Sequence, residues 1–255
     1  MKPSFTRPAA PARIARRRIT STLAALTAIG ALGLAGLQLQ TSSAAEAAVK
    51  IPPLAGDATA DAKAAQETAV FAGGCFWGVQ GVFQHTKGVL NAVSGYAGGS
   101  ATTAHYEIVG SGLTGHAEAV QVTFDPKQVT YAQLLQIFFS VAHDPTQLNR
   151  QFPDSGTQYR SALFTADAAQ KQAAERYVAQ LDTTKLFPSK IVTQITPLTG
   201  FYPAEEYHQD YATLHPESGY IARYDLPKIA NLKAMFGAQY REQPVLVASR
   251  GIAKR

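Results

Sequence analysis

Past residue 66 the apolar positions of this chain switch repeatedly between two periods. Glu67–Phe71 is a short apolar run that stops at Gly73-Gly74, as a strand does when it closes on a turn. From Cys75 onward, Phe76, Val79, Val82 and Phe83 recur at helical spacing and end before Lys87-Gly88. Val89–Tyr96 alternates as a strand and breaks at Ala97-Gly98-Gly99-Ser100, while residues 101–116 carry no period. Ala117–Phe124 alternates and predicts a strand, Asp125-Pro126 turns the chain, and Thr130–Ala142 predicts a helix with Leu134, Leu135, Phe138 and Phe139 facing a core. After a loop over His143–Thr157 come a strand at Gln158–Thr165, an Ala-rich helix at Ala166–Asp182, a strand at Ile191–Thr196 and a helical stretch at Ala204–Leu214. The order β-α-β-β-α-β with an added α-β predicts an α+β fold. Its expected form is a ferredoxin-like split βαβ core, with a mixed sheet covered by helices and an irregular C-terminal extension.

The first 47 residues follow a different rule. Lys2, Arg7, Arg13, Arg16, Arg17 and Arg18 precede an uncharged stretch from Ile19 to Ala45, which ends at Ala45-Glu46-Ala47. A cationic start, an apolar centre and a small-x-small site read as a secretory signal over residues 1–47. Arg16-Arg17-Arg18-Ile19-Thr20 loosely fits a twin-arginine signal, and an uncleaved leader would be long enough for a membrane anchor. The protein is therefore expected to be exported, to the periplasm or beyond. The leader also carries 6 of the 23 basic residues and 1 of the 18 acidic ones, leaving 17 of each. The basic balance belongs to the leader, and nucleic acid is not an expected partner. Residues 48–66, rich in Ala and Pro, are expected to form a flexible linker, 67–235 one domain, and 236–255 a weakly patterned tail. Nothing in the pattern demands more than a monomer.

The chain has a single cysteine, Cys75, placed between Gly73-Gly74 and Phe76-Trp77-Gly78 where a strand hands over to a helix. A lone cysteine is usually a small buried hydrophobe. At the first turn of a helix, however, unpaired N–H groups and the positive dipole end are expected to lower its pKa and favour the reactive thiolate. Three function classes stay open on this basis: an enzyme reducing a substrate through the thiol, a hydrolase pairing Cys75 with His116, and a non-catalytic module binding peptides through Phe76 and Trp77. The histidines His208 and His215 have no third group at ligand spacing, so no metal is expected.

Gly74-Cys75-Phe76-Trp77-Gly78 resembles the active-site signature of the peptide methionine sulfoxide reductase A (MsrA) family. Six further blocks in family order carry the resemblance from about residue 70 to 220. They are Ser94–Gly99, His105-Tyr106-Glu107, Thr114–Val120, His143–Gln147, Gly156–Ser161 and Phe201–Gln209. The resemblance implies that the Cys75 thiolate attacks the sulfur of methionine sulfoxide, free or in proteins, releasing methionine and leaving a cysteine sulfenic acid. It implies that Phe76 and Trp77 hold the methyl group and favour the S epimer, and that Glu118 supplies the proton to the oxygen. A carboxyl that must be protonated near neutrality needs burial. Tyr106 and Tyr159 would hydrogen-bond the sulfoxide oxygen and Asp154 would position the substrate. The family loop usually carries glycine where Phe152 stands. Many family members also resolve the sulfenic acid with further cysteines, and this chain has none. With no bound cofactor implied, the expected reductant is an external thiol: thioredoxin, glutaredoxin or a small thiol.

Overall fold

The computed structural model describes residues 47–56 and 64–247. The expected leader lies outside the described residues except for Ala47, as do residues 57–63 of the expected linker and 248–255 of the tail.

Six strands form the main sheet: β1 (Glu67–Gly73), β2 (Val89–Ala97), β3 (Ala117–Phe124), β6 (Ser161–Thr165), β7 (Gln194–Pro197) and β8 (Phe201–Pro203). A small hairpin, β4 (Arg150–Gln151) with β5 (Asp154–Ser155), stands apart. The sheet order is β7-β6-β1-β3-β2-β8. The inner four, β6-β1-β3-β2, are antiparallel neighbours and β7 joins β6 in parallel. This is the expected split βαβ core, widened by one strand at each edge.

The helices are α1 (Phe76–Gln84), α2 (Tyr106–Val109), α3 (Tyr131–Ile137), α4 (Ala168–Thr184), α5 (Tyr211–Leu214) and α6 (Leu226–Met235). Thr130 opens α3 with a reciprocal capping box to Gln133, which satisfies two otherwise orphaned N–H groups. Asp167 caps α4 by accepting from the Gln170 N–H at 2.8 Å. The core lies between the sheet and α1, α3 and α4. Phe71 at its centre meets Phe83 at 4.7 Å and Phe138 at 5.2 Å between ring centroids. Burying one such ring contributes roughly 2–3 kcal/mol. Because strand side chains alternate, Glu118 shares its face with Val120, Val122 and Phe124 and so points into this core. The opposite face is lined by smaller residues, Ala72, Ala97, Ala117, Ala119 and Ala162.

Several expected elements differ in the structure. The expected helix at 204–214 is split into a 3-10 turn at Glu206–His208 and the short α5, with Asp210 between them at φ 58°. The cause is polar: the Gln209 side chain donates to the carbonyls of Ser94 and Ala204, and the Asp210 N–H donates to Gln80 Oε1. The strand expected from Gln158 begins only at Ser161. Residues Thr157–Tyr159 form a 3-10 turn, held by Arg160 donating to the carbonyls of Gly115, His116 and Thr157. Strand β7 begins three residues later than Ile191, and β8, α2 and α6 were not expected.

The described part of the expected linker is packed. Ile51 and Leu54 are buried, the Val49 N–H donates to Ser140 O, and Tyr177 donates to Pro52 O. Two apolar side chains and two backbone hydrogen bonds hold this short Pro-rich run. The expected weakly patterned tail is likewise pinned as far as Val247. Arg241 and Val245 donate to the carbonyls of His85 and Gln84, and Val247 donates to Asp210 Oδ1.

Candidate active site

Strand β1 ends at Gly73, and Cys75 is the N-cap residue of α1. Two glycines make the turn possible. Gly74 sits at φ 86°, and a Cβ there would lie 2.5 Å from the Gln151 side chain. Gly78 lets a carboxylate reach the first turn of α1, since a Cβ there would lie 2.1 Å from Asp225 Oδ1. Strand β3 brings Glu118 under the same turn, where its Oε2 accepts the Phe76 N–H at 3.1 Å.

Burial then decides the protonation states. Glu118 is 3 % exposed, and desolvation pushes its carboxyl up to about 8, against the lowering effect of the Phe76 N–H. At neutral pH it holds a proton, as the resemblance requires of an acid. Cys75 is a correction to the expectation from sequence. The residue is 7 % exposed, and burial raises the thiol well above its ordinary value, with the charges of Glu118 and Asp225 adding to the rise. The nearby Trp77 backbone works in the opposite direction but does not win. A helix N-terminus contributes roughly 0.3–2 kcal/mol to an anion. Here Asp225 lies against the same helix turn and competes for that field. The resting pair is therefore a thiol beside a carboxylic acid.

Tyr106, on α2, and Tyr159, in the turn before β6, are brought to this pair. Burial raises both phenols, and the charges of Glu118 and Cys75 act on each in the same direction. Both hydroxyls stay protonated, and neither has a hydrogen-bond partner among the described residues, so each is available as a donor. Phe76 is buried in the core and Trp77 is half-buried at the mouth, with rings 6.4 Å apart. Tyr211 stacks on Trp77 at 4.0 Å and Tyr220 meets its edge at 5.9 Å. Asp154 is returned to the site by the β4–β5 hairpin, and its Oδ2 accepts from the Tyr220 hydroxyl. Its carboxyl is raised by burial and partly restrained by Tyr220 and Lys228.

His116 does not pair with Cys75. Both its ring nitrogens serve the turn after β2, one accepting from the Gly99 N–H at 3.2 Å and the other meeting Ser100 O at 2.9 Å. His143 is also structural. It stacks on Phe138, bonds Ser161 Oγ at 2.7 Å, and is held neutral by burial, with its pKa lowered to about 3.

Sequence reasoning missed the C-terminal half of this site. Asp225 is fully buried with Lys228 at 3.3 Å, and its Oδ2 has no hydrogen-bond partner among the described residues. Glu205 accepts from the Tyr106 N–H at 3.0 Å and from the Tyr96 hydroxyl at 2.8 Å, tying α2 to the sheet. His208 is buried among Phe76, Trp77, Tyr106 and Tyr207. The block Phe201–Gln209 was the available signal for Glu205 and His208, while Asp225 and Lys228 lay outside every recognised block.

The family model described as Peptide methionine sulfoxide reductase matches residues 67–240. A peptide methionine sulfoxide reductase MsrA 2 of Mesorhizobium japonicum is 63 % identical over 191 residues, covering 74 % of this chain and 98 % of the relative. MsrA of Deinococcus radiodurans is 50 % identical over 178 residues, covering 70 % and 86 %. Among solved structures, reduced Mxr1 of Saccharomyces cerevisiae aligns at TM-score 0.55 and 34 % identity, covering 62 % of this chain and 90 % of that one. Methionine sulfoxide reductase A of Corynebacterium diphtheriae aligns at 0.53 and 37 %, covering 67 % and 85 %. The chain belongs to the peptide methionine sulfoxide reductase family.

Proposed function

We propose that this peptide methionine sulfoxide reductase acts on the S epimer through Cys75, with Glu118 as its proton donor. The observation that carries the assignment is the buried, proton-bearing Glu118 beneath the Cys75 turn. In the first half-reaction the sulfoxide methyl group enters the aromatic niche of Phe76 and Trp77. Glu118 gives its proton to the sulfoxide oxygen, and the carboxylate left behind accepts the thiol proton. That order fits a thiol that burial keeps protonated until substrate arrives. Tyr106 and Tyr159 donate to the oxygen as its S–O bond weakens, and Asp154 with Tyr220 shapes the mouth. The Cys75 sulfur attacks the sulfoxide sulfur; the bond from that sulfur to oxygen then breaks, the oxygen passes to the Cys75 sulfur, and the transient sulfur–sulfur bond is released. The sulfoxide is reduced by two electrons to the thioether, and Cys75 is oxidised to the sulfenic acid.

With one cysteine in the chain, the second half-reaction draws on an external thiol. That thiol attacks the Cys75 sulfur, water leaves, and a second thiol releases the mixed disulfide, consuming two thiols per turnover. A thioredoxin-like protein, a glutaredoxin or a small thiol meets this requirement. The reading also includes export by the leader, which a mass of the mature protein lacking about 47 residues would support.

The test is reduction of S- and R-methionine sulfoxide with dithiothreitol by wild type, Cys75→Ser and Glu118→Gln. Turnover of the S epimer alone, abolished in Cys75→Ser, is expected. Retained turnover in Cys75→Ser would refute the assignment, and so would sustained multiple turnover in thiol-free buffer for the external-thiol step.

A further inference from the structure

Beyond the niche for the methyl group, the aromatic rings continue outward to a surface that the chemistry does not use. Tyr220 touches the edge of Trp77 at 5.9 Å, Tyr224 lies 5.1 Å from Tyr220, and Phe152 lies 5.9 Å from Tyr224, edge to face. The ladder emerges into solvent at its far end, where Phe152 is 49 % exposed and Leu148, on the same loop, 62 %. Phe152 is held in place, because its N–H donates to Gln147 Oε1 at 3.0 Å and Asp154, two residues on, bonds Tyr220. The Arg223 guanidinium lies 5.7 Å over the Tyr224 ring, so this apolar shelf is bordered by a cation.

A methionine sulfoxide side chain lodged at Trp77 within a polypeptide carries its neighbours with it. An extended chain advances about 3.3 Å per residue, so residues one or two positions away lie about 3–7 Å along it, and their side chains reach farther. One step of the ladder, 5.1–5.9 Å between ring centroids, is on that scale, and the outer rings at Tyr224 and Phe152 are left to the reach of a flanking side chain. We propose that Phe152 and Tyr224, with Arg223 beside them, form a subsite for the residue flanking the oxidised methionine in an extended polypeptide, preferring apolar over cationic side chains. The shelf is continuous with the niche, and the charge of Arg223 repels a cationic side chain. This inference rests on the reductase reading above and names its substrate class: methionine sulfoxide within apolar segments of a chain, such as those an unfolded protein exposes.

The full chain is assayed with dithiothreitol on N-acetylated, C-amidated pentapeptides Gly-X-Met(S-sulfoxide)-X-Gly, with X as Phe, Gly or Lys. The Phe peptide should exceed the Gly peptide in kcat/KM by about five- to tenfold, through KM rather than kcat, the scale of one partly buried aromatic contact. The Lys peptide should fall below the Gly peptide. Phe152→Ser should bring the Phe-to-Gly ratio to about one, Phe152→Tyr should preserve it, and Arg223→Ser should lift the Lys peptide to the Gly level. A ratio near one in the unaltered chain, or one that survives Phe152→Ser, overturns the subsite. Absence of turnover on all three peptides would instead count against the reductase reading itself, so the two failures are distinct.

Discussion

Cys75 and Glu118 are held from two sides by two kinds of construction. On one side, β1, α1 and β3 set the sulfur and the carboxyl by hydrophobic packing around Phe71, Val120 and Phe138. On the other, the segment from Glu205 to Lys228 closes the site through buried polar contacts. Gln209 bridges Ser94, Ala204 and Gln80, Glu205 fixes Tyr96 and Tyr106, and Asp225 with Lys228 sits against Gly78. The first side positions the reacting atoms. The second adds to their electrostatics: burial does most to keep the proton on the resting sulfur, Glu118 acts with it, and Asp225 contributes from this side. Apolar packing is non-directional and tolerates small changes of shape, whereas a buried polar contact costs most when one partner is removed.

That contrast can be tested by variants. The largest effect expected is on chemistry: Glu118→Gln should lower kcat by about 10²–10⁴-fold, the usual range for a positioned proton donor, measured with saturating dithiothreitol. Next is Lys228→Met, which leaves Asp225 buried without its cation. A loss of about 3 kcal/mol of stability is expected by urea unfolding, partly relieved at low pH where Asp225 protonates. An unchanged midpoint would mean that the polar side of the site is not energetically essential. Gln209→Ala should cost about 1–3 kcal/mol, because it strands the carbonyls of Ser94 and Ala204 and the side chain of Gln80. At the small end, Lys171→Ala breaks only an exposed i,i+4 pair with Glu175 and should shift stability by less than about 0.5 kcal/mol.

The same division governs what could be read in the sequence. Ala117–Phe124 was legible because a period of two repeats along the strand. It placed Glu118 on the face of Val120 and Val122, and burial followed. The Cys75 turn was legible because glycines bracket a strand end and a helical run. Asp225 and Lys228 were not legible, since an ion pair of this kind has no period and looks in sequence like any solvated charge. The same holds for Gln80 and Gln209, whose amides share one hydrogen bond and find their backbone partners only once the chain is folded. The expected thiolate failed for a related reason: the helix terminus is visible in the residues around Cys75, but the burial that raises the thiol, and the Glu118 and Asp225 carboxyls that add to it, exist only once the chain is folded.

The acid–base account also fixes a direction with pH. A carboxyl raised in the folded state favours the protonated form, so the benefit to stability is full below the ordinary carboxylate range and is lost as pH rises through about 8. Activity that needs the Glu118 proton should fall over that upper range, and Glu118→Gln should lose that dependence. The most direct test of the central claim is a carbon-detected NMR titration of the Glu118 carboxyl in the reduced protein. A midpoint near 8 is expected, and a midpoint close to the ordinary 4.5 would contradict it.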